Sequence, residues 1–327
     1  AFSPDGLFLA IAHDNHITIW DMEGKIKAQE FEVEMERVRE ILYNSSGDSL
    51  AVLGASRLTE GDPPSVLELW KTTSWERIYS NREKLEPHIT FSLDGKTLAF
   101  ISSADLLLID SKTGTQQKLD ITWGNGSIAY LTDDLLLRRS KDDQLVVMDM
   151  KTLQNLKTIL VDNSWFYEYW VSMDRSKVIF PEVWDNDLKS YFTQVWDVAS
   201  GTLLYTLKSA SDAQKFDFSP DGKLFASAGN DGIVRVHDLE TGETLRQIEF
   251  TTQLDEVEFV SADIVVGGYY SSQIKLWEID SKDIVNRFDG YEYWGNVLAV
   301  SPDRRMVAVK QDEYSGMVLE VDTGVLV

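Results

Sequence analysis

Histidine and carboxylate side chains are the residues of this chain best suited to metal or acid–base chemistry. There are four histidines, at positions 13, 16, 88 and 237. His13 and His16 flank the turn Asp14-Asn15 and could bind a metal ion between them, but zinc takes at least three protein ligands. A plain hairpin turn explains the same residues, and a packed structural role explains His237. We therefore expect no metal site and no cofactor.

Catalytic motifs give no stronger signal. Gly124-Asn125-Gly126 begins a match to the loose dinucleotide-binding pattern. It leads into a predicted strand, so no helix N-terminus would receive a pyrophosphate. The sequence contains no Gly-x-Ser-x-Gly elbow, no Walker loop and no His-Glu-x-x-His motif. We predict no catalytic residues and a protein that is not an enzyme.

Aromatic and acidic side chains in predicted loops indicate the binding of a partner, which requires neither a metal nor a catalytic residue. Trp and Tyr bury much area at little entropic cost, and neighbouring carboxylates select a cationic partner. Packing against neighbouring strands is the alternative for each of these residues, and Tyr169 is expected in the core. The candidate binding residues are Trp123, Trp165, Tyr167, Trp184, Asp185, Asp187, Tyr191, Tyr291, Tyr293, Trp294, Asp312, Glu313 and Tyr314.

A repeat of about 41 residues positions these loops. Its most regular copy has an alternating strand that ends in Ser219-Pro220-Asp221-Gly222, where Pro presets φ and Asp-Gly tolerates a tight turn. A second strand ends in the hairpin signal Asn230-Asp231-Gly232. A third strand ends at Asp238 before a Thr-Gly turn, and a fourth covers 245–250. Each copy therefore predicts four short strands.

Two series of residues at equivalent positions, the first and second ladder, give the number of copies of the repeat. An apolar or aromatic residue precedes the first turn at Phe2, Tyr43, Phe91, Tyr130, Val171, Phe218, Phe259 and Val300. A bulky residue closes the third strand at Trp20, Trp70, Ile109, Met148, Trp196, His237, Trp277 and Val321. An acid follows in every copy except the second, which has Lys71. The ladders indicate eight units, approximately 1–34, 35–82, 83–120, 121–160, 161–208, 209–250, 251–290 and 291–327.

Four short strands per unit without a helical pattern predict an all-β fold, a β-propeller of four-stranded antiparallel blades. Eight units favour eight blades in a single domain, 1–327, and seven blades plus an extra unit is the alternative. The chain starts inside a predicted strand and has no initiator methionine, so we expect further residues upstream.

The strand endings resemble those of WD40 repeats, notably Ile17-Thr18-Ile19-Trp20-Asp21, Gln194-Val195-Trp196-Asp197 and Lys275-Leu276-Trp277-Glu278. The Phe-Ser-Pro-Asp-Gly turn resembles the same family, and the resemblance covers essentially the full chain. No Gly-His dipeptide is present, so the Trp-Ser-His-Asp tetrad of many WD40 blades cannot form. The chain thus resembles a divergent, prokaryotic member of the family.

The resemblance implies a propeller whose strand 2–3 loops and unit-to-unit connections lie at the top, and whose short turns lie at the bottom. It also implies a non-enzymatic scaffold for protein–protein or protein–peptide interaction. The aromatic and acidic residues of the predicted loops lead us to expect that this interaction uses an acidic, aromatic-rich top face. One alternative is an eight-bladed quinoprotein dehydrogenase, whose Asp-x-x-Thr-Gly turns are similar to 238–242, but no docking Trp follows here. Another is a purely structural domain of a larger protein.

The composition of the chain restricts the classes of partner that it can bind. The chain has 327 residues, with 31 basic against 54 acidic side chains and a net charge of −23, which argues against nucleic acid and anionic lipid. It has no cysteine, which excludes disulfides and thiolate-bound metals. No apolar run reaches the roughly 20 residues of a membrane helix. We predict a soluble protein, with a cytoplasmic location favoured, that binds a basic or amphipathic protein or peptide.

Overall fold

Short runs of apolar residues, separated by turns rich in Gly, Asp and Ser, form antiparallel strands along the chain. It divides into two compact units, Ala1–Val161 and Asp162–Val327. A computed structural model describes residues 1–56, 65–83, 85–102, 105–119, 127–140, 144–159, 169–185, 190–208, 213–229, 231–249, 254, 256–268, 275–280, 284–287, 296–310, 316–323 and 325.

The described residues of the first unit form fifteen strands. In chain order they are β1 (Phe8–His13), β2 (His16–Asp21), β3 (Ile26–Glu32), β4 (Arg37–Tyr43), β5 (Ser49–Ala55), β6 (Ser65–Lys71), β7 (Glu76–Glu83), β8 (Leu85–Phe91), β9 (Thr97–Ser102), β10 (Asp105–Asp110), β11 (Gln116–Leu119), β12 (Ile128–Thr132), β13 (Leu135–Arg139), β14 (Leu145–Asp149) and β15 (Asn155–Ile159).

The described residues of the second unit form fifteen more. These are β16 (Trp170–Val171), β17 (Lys177–Asp185), β18 (Ser190–Asp197), β19 (Thr202–Lys208), β20 (Ala213–Phe218), β21 (Leu224–Gly229), β22 (Ile233–Asp238), β23 (Thr244–Glu249), β24 (Glu256–Phe259), β25 (Ile264–Gly268), β26 (Lys275–Glu278), β27 (Ile284–Arg287), β28 (Asn296–Val300), β29 (Met306–Lys310) and β30 (Gly316–Glu320).

Each unit contains four sheets, or blades, and strands that follow one another along the chain are neighbours within a blade. Blade 1 is β1–β3, and blades 2, 3 and 4 are β4–β7, β8–β11 and β12–β15. In the second unit, blades 5, 6 and 7 are β16–β19, β20–β23 and β24–β27, and blade 8 is β28–β30. All these pairings are antiparallel, and the described part of the chain contains no helix, hence none that could cross a membrane. The prediction of an all-β, eight-bladed β-propeller is confirmed.

The core lies between neighbouring blades of one unit. Ile19 of blade 1 packs with Leu50 and Trp70 of blade 2, and Val234 of blade 6 packs with Phe259 of blade 7. Both faces of an inner strand are therefore covered, and β5 is buried at every position. Burying one large aliphatic or aromatic side chain contributes about 1.5–3 kcal/mol, so these contacts hold the blades together.

At the bottom of each blade, polar side chains close the predicted turns. The Ser219 hydroxyl donates to Asp221 Oδ1 (2.7 Å) and accepts the Leu224 N–H (2.8 Å). The hydroxyl donation contributes most to holding the pKa of Asp221 below its usual value. In the next turn, Asp238 Oδ1 accepts the N–H (2.7 Å) and the hydroxyl (2.9 Å) of Thr241. The acid after the third strand is thus a turn cap.

The strand pairing in blade 8 corrects one position in the second ladder, the series of bulky residues that close the third strand. Val307 is paired with Leu319, so Leu319 occupies the position predicted for Val321. The acid that follows is Glu320, whose carboxylate accepts the Thr323 hydroxyl (2.6 Å) as Asp238 accepts that of Thr241. Leu319 and Val321 are two residues apart and each precedes an acid. A two-residue slip keeps a side chain on the same face of a strand, so alternation alone could not separate them.

Two turn glycines make a matched test of packing between blades. Gly114 and Gly222 have φ near +70°, but a Cβ at Gly114 would lie 2.2 Å from the Ile78 carbonyl of blade 2, whereas a Cβ at Gly222 would meet nothing within 4 Å. We expect Gly222→Ala to lower the free energy of unfolding by about 1 kcal/mol through backbone strain alone. We expect about twice that loss for Gly114→Ala, because a backbone carbonyl must also move. Urea unfolding measures both, and equal losses would contradict the contact.

Candidate functional site

A groove of about 370 Å³ opens at the top of blades 1 and 2, within the first unit. Three top elements and the end of β7 build it: the β1–β2 turn, the connection from β3 to β4, and the end of β5. It is lined by Asn15, Val33, Glu34, Met35, Glu36, Ser56 and Arg82. Val33 and Met35 are 4% and 1% exposed and form an apolar floor, while Glu34, Glu36 and Arg82 place charge around it.

The connection beneath this groove is fixed at both ends. The Val33 N–H donates to the Asn15 carbonyl of the neighbouring turn (2.8 Å), and the Glu36 N–H donates to the Ala55 carbonyl at the end of β5 (3.0 Å). Between them, the Glu34 N–H donates to the carboxylate of Glu68 (2.8 Å). Each backbone hydrogen bond ties the connection to a different strand or turn, so the groove is largely pre-formed.

A charge network underlies the groove. Glu68 is fully buried in β6, and Arg77 donates to its Oε1 (2.9 Å) and to Glu34 Oε1 (2.8 Å). Arg82 lies 3.1 Å from the other oxygen of Glu34. The donation from Arg77 is the largest contribution to lowering the pKa of Glu34, which keeps it ionised. Two carboxylates and two guanidiniums therefore neutralise one another.

The same network satisfies the indole N–H at the repeated Trp position of blade 2. The Trp70 indole N–H donates to Glu68 Oε2 (3.0 Å), and the Arg77 guanidinium lies 6.0 Å from the ring centroid. In blade 5, Trp196 donates in the same way to Gln194, two residues earlier (3.0 Å). An acceptor at the second residue before the Trp thus takes the place of the Trp-Ser-His-Asp tetrad in these two blades.

The histidine pair at the top of blade 1 lies against two glutamates. The rings of His13 and His16 are stacked with centroids 5.7 Å apart, and their Nε2 atoms each lie 3.6 Å from a carboxylate oxygen, of Glu30 and Glu32 respectively. His13 Nε2 also lies 2.9 Å from the Thr18 hydroxyl. Among the residues that the structure describes, no group of three or more His, Asp or Glu is arranged to hold a metal ion.

His237 has the packed role predicted for it. The side chain is buried, its ring lies 4.6 Å from that of Phe225, and its nitrogens lie 3.2 Å from the Ser227 hydroxyl and 3.1 Å from the Thr244 hydroxyl. Burial lowers its pKa to about 4, so the ring is neutral at physiological pH. Tyr169 is likewise in the core, as expected.

Three of the predicted binding residues lie in strands. Trp184 and Asp185 end β17 and Tyr191 lies in β18, where Trp184 is paired with Tyr191. The predicted loop of unit 5 is therefore shorter than expected, because the strands continue to Asp185 and resume at Ser190. The other predicted binding residues lie outside the described part of the chain: Trp123, Trp165, Tyr167, Asp187, Tyr291, Tyr293, Trp294, Asp312, Glu313 and Tyr314.

Sequence reasoning missed the groove and its charge network. The one local signal was a carboxylate two residues before a Trp in Glu68-Leu69-Trp70, repeated as an amide in Gln194-Val195-Trp196. Arg77 and Glu34 come from other strands and connections, so no spacing in the sequence could link them to Glu68.

Family models match two segments of the chain. The model of the anaphase-promoting complex subunit 4 WD40 domain matches residues 189–264, and the model of the WD domain, G-beta repeat, matches residues 1–21. A solved structure, dihydro-heme d1 dehydrogenase NirN in complex with DHE, aligns with a TM-score of 0.78 and covers 100% of this chain and 73% of that one. Its sequence identity is 15%, so the likeness shows the fold alone.

Curated relatives carry WD repeats or belong to assemblies. COMPASS component SWD3 of Saccharomyces cerevisiae is 24% identical over 303 residues, which are 89% of this chain and 84% of that protein. WD repeat-containing protein SL1-17 of Schistosoma mansoni is 30% identical over 154 residues, 45% of this chain and 48% of that protein. The small ribosomal subunit protein RACK1 of Brassica napus is 34% identical over 67 residues, 20% of each chain.

The matches to SL1-17 and RACK1 thus span a half or less of those relatives. The SWD3 match runs over nearly the whole chain, and the two family models match segments in both units. Together these matches support a WD40-repeat β-propeller.

Proposed function

We propose that this protein is a non-enzymatic scaffold that binds a basic or amphipathic protein or peptide at the top ends of its blades. The observation that carries the proposal is the contrast between the two ends of the described blades. At the top of blades 1 and 2 a groove has an apolar floor and charged side chains around it. At the bottom, Ser and Asp side chains are already used by the turns.

The bottom ends offer little to a partner. The Asp110 carboxylate, for example, accepts the N–H groups of Lys112 (3.1 Å) and Thr113 (2.7 Å) and the hydroxyl of Thr113 (2.8 Å). A partner that bound this carboxylate would have to displace hydrogen bonds that hold the turn. A net hydrogen bond contributes about 1 kcal/mol, so each displaced bond would weaken binding.

The top ends combine acid with accessible area. The Glu32 side chain is 75% exposed beside the groove, and the chain as a whole carries a net charge of −23. The electrostatic field of this negative charge attracts cationic partners and repels acidic ones. The names of SWD3, as a COMPASS component, and RACK1, as a ribosomal subunit protein, describe members of assemblies, which supports a scaffold role here.

Aromatic side chains would supply the anchors of this surface. Trp184 and Tyr191 occupy directly opposed positions at the top of β17 and β18, and Trp294 belongs to the predicted connection into unit 8. Large aromatic residues dominate most interaction hot spots, where a single truncation weakens binding by 2 kcal/mol or more, about 30-fold.

Removal of these anchors should weaken binding without unfolding the protein. We would select peptides from a random phage-displayed library on the wild-type protein and synthesise the enriched sequences. We expect cationic peptides with apolar residues, bound at least about 10-fold more weakly by the Trp184→Ala/Trp294→Ala double variant. Its thermal midpoint should stay close to that of the wild type.

The control variant is Trp20→Ala, which removes a 38% exposed Trp from the bottom end of blade 1. It should bind the selected peptides as the wild type does. A collapse of thermal stability in the double variant would place those side chains in the core and refute the aromatic anchors. Selection of acidic peptides, or of none, would refute the proposed function.

A further inference from the structure

Two histidines at the top of blade 1 are each placed beside a carboxylate of the same blade. His13 of β1 is paired with His16 of β2, and His16 is paired with Glu32 of β3, so these three residues form one row across the blade. Thr18 and Glu30 form the next row on the same face, since residues two apart on a strand point the same way. His13 Nε2 lies 3.6 Å from a Glu30 oxygen, and His16 Nε2 lies 3.6 Å from a Glu32 oxygen. Each imidazole can therefore pair with a carboxylate once it is protonated.

The histidine row remains accessible to solvent. Ile17 and Ile19 alternate with the residues of this face, and they pack against blade 2 on the other side. By contrast, the side chains of His13 and His16 are 35% and 33% exposed, and that of Glu32 is 75% exposed. A proton and a side chain of a partner can both reach the row.

The two carboxylates differ in how far they are already compensated. Lys27 Nζ lies 3.3 Å from one oxygen of Glu30, and the Thr18 hydroxyl donates to the other (3.2 Å). The hydrogen bond from Lys27 contributes most to lowering the pKa of Glu30. Within the described part of the chain, His16 is the ion-pair partner of Glu32. Glu32 is thus the carboxylate whose compensation depends on a histidine.

The histidines are the groups here that respond to mild acid. Histidine ordinarily changes charge between about pH 5 and 8, whereas carboxylates, Lys and Arg keep their charge through most of that range. A neutral imidazole leaves the carboxylate beside it to a cationic partner, and an imidazolium competes with that partner. Two imidazolium rings 5.7 Å apart repel each other, and each carboxylate offsets one of them. The charged residues of the rows, of their turn, and of the groove lining with its sequence neighbours are Asp14, Lys27, Glu30, Glu32, Glu34, Glu36, Arg37, Arg57, Arg82 and Glu83.

We propose that His13 and His16 regulate the binding of a cationic partner at the top of blade 1, because in mild acid they compete with it for Glu30 and Glu32. His16 contributes more than His13, since Lys27 already holds Glu30. The proposal rests on the proposed function, and it adds to that function the release of the partner as the pH falls.

Binding measured at two pH values tests the competition. We would choose a library-selected peptide that contains no His, Asp or Glu, and measure its Kd by fluorescence anisotropy at pH 7.5 and 5.5 at constant ionic strength. The wild type should bind about five-fold more weakly at pH 5.5, since an exposed ion pair contributes about 0.2–1 kcal/mol. The His13→Gln/His16→Gln variant should lose most of this difference, and His16→Gln alone should lose more of it than His13→Gln. Glu40 takes up a proton over the same range in all these proteins, so comparison of their pH effects removes its contribution.

Two further measurements identify the groups involved. The imidazole ¹H–¹³C resonances of the free protein, assigned with the single variants, should shift between pH 7.5 and 5.5 as the rings gain protons. Glu32→Gln should weaken peptide binding at pH 7.5 and reduce the effect of acid. The control Glu23→Gln removes an exposed charge from the bottom of blade 1 and should keep the affinity and pH effect of the wild type.

The remaining outcomes separate this inference from the proposed function. Equal pH effects in the wild type and the double histidine variant would overturn the regulation, and so would imidazole resonances that do not shift. If library peptides bind at pH 7.5 but Glu32→Gln leaves their affinity unchanged, the regulation is wrong and the proposed function survives. If no library peptide binds at either pH, the proposed function fails and the regulation fails with it.

Discussion

Replacement of the buried carboxylate Glu68 by alanine is expected to destabilise the first unit by about 3–5 kcal/mol. Glu68 accepts hydrogen bonds from the Trp70 indole, the Arg77 guanidinium and the Glu34 N–H, at 2.8 to 3.0 Å. Its removal leaves three donors without this acceptor and Arg77 without its buried counter-charge. Urea unfolding followed by tryptophan fluorescence, which includes Trp70 itself, measures the loss.

The origin of that loss can be tested by the partner substitution. If the penalty comes from the loss of one of the two carboxylates that Arg77 contacts, the double variant Glu68→Ala/Arg77→Met should lose less than the two single variants together. Glu68→Gln, which keeps the size and one acceptor oxygen, should lose less than Glu68→Ala. The exposed Glu30, which pairs with Lys27 at 3.3 Å, gives a control whose alanine variant should unfold with the wild type. Strictly additive losses in the double variant would show that the network is not coupled.

The fold could be predicted because the hydrogen bonds of each repeated turn form between residues that are close together in the sequence. A Ser followed by Asp and Gly within three residues contains its own hydrogen bonds, as Ser219 and Asp221 show, so the turn can be identified without the rest of the chain. The acid that caps the next turn is equally local, as Asp238 and Thr241 show. The full pattern occurs three times, at 3–6, 92–95 and 219–222, and the apolar residue before the turn recurs eight times and gives the number of blades. The strand register in blade 8 needed pairing partners, because a slip of two residues there preserves the alternation, and so did the ends of β17 and β18 in blade 5.

The groove and its network were not predictable, because they depend on residues distant in sequence. Glu68 stands between Leu67 and Leu69, where alternation predicts a solvent-facing side chain, yet β6 is buried at its first six positions. Neighbouring blades cover both faces of such a strand, so a polar residue in it no longer indicates a solvent-exposed side chain. Val33, Ser56 and Arg82 line one groove only because blade 1 packs on blade 2. The aromatic candidates, chosen by loop composition, remain predictions.

Glu40 in β4 is partly buried, but its carboxyl group is enclosed and lacks the compensation that Glu68 has. The N–H of Ile89 in β8 donates to its carboxyl group, but the other oxygen, Oε2, is inaccessible to solvent and has no hydrogen-bond partner. An ionised carboxylate in such a place loses its hydration without gaining a cation. Desolvation therefore raises the pKa of Glu40 to about 7, from an ordinary value of 4.5.

The raised pKa makes stability depend on pH in a definite direction. Below pH 4.5 the carboxyl is protonated in both folded and unfolded chains and carries no penalty. Between pH 4.5 and about 7 the unfolded chain releases this proton while the folded chain retains it, so stability falls as the pH rises. Above about pH 7 the folded chain carries the buried charge, and the accumulated loss levels off at about 3 kcal/mol, at 1.36 kcal/mol per pKa unit.

Glu40→Gln removes the titration and keeps the shape, so it should stabilise the protein only where the carboxylate would be charged. We expect urea unfolding to give equal free energies for wild type and variant near pH 4, and an advantage of the variant that grows to about 3 kcal/mol by pH 8. Because the other titrating groups are the same in both proteins, including Asp217, whose pKa desolvation also raises, the difference between them isolates Glu40. A matched Glu32→Gln variant, at a 75% exposed carboxylate, should show no such growth. An advantage that is constant with pH, or that grows toward acid, would mean that Glu40 is not held as a buried acid between blades 2 and 3.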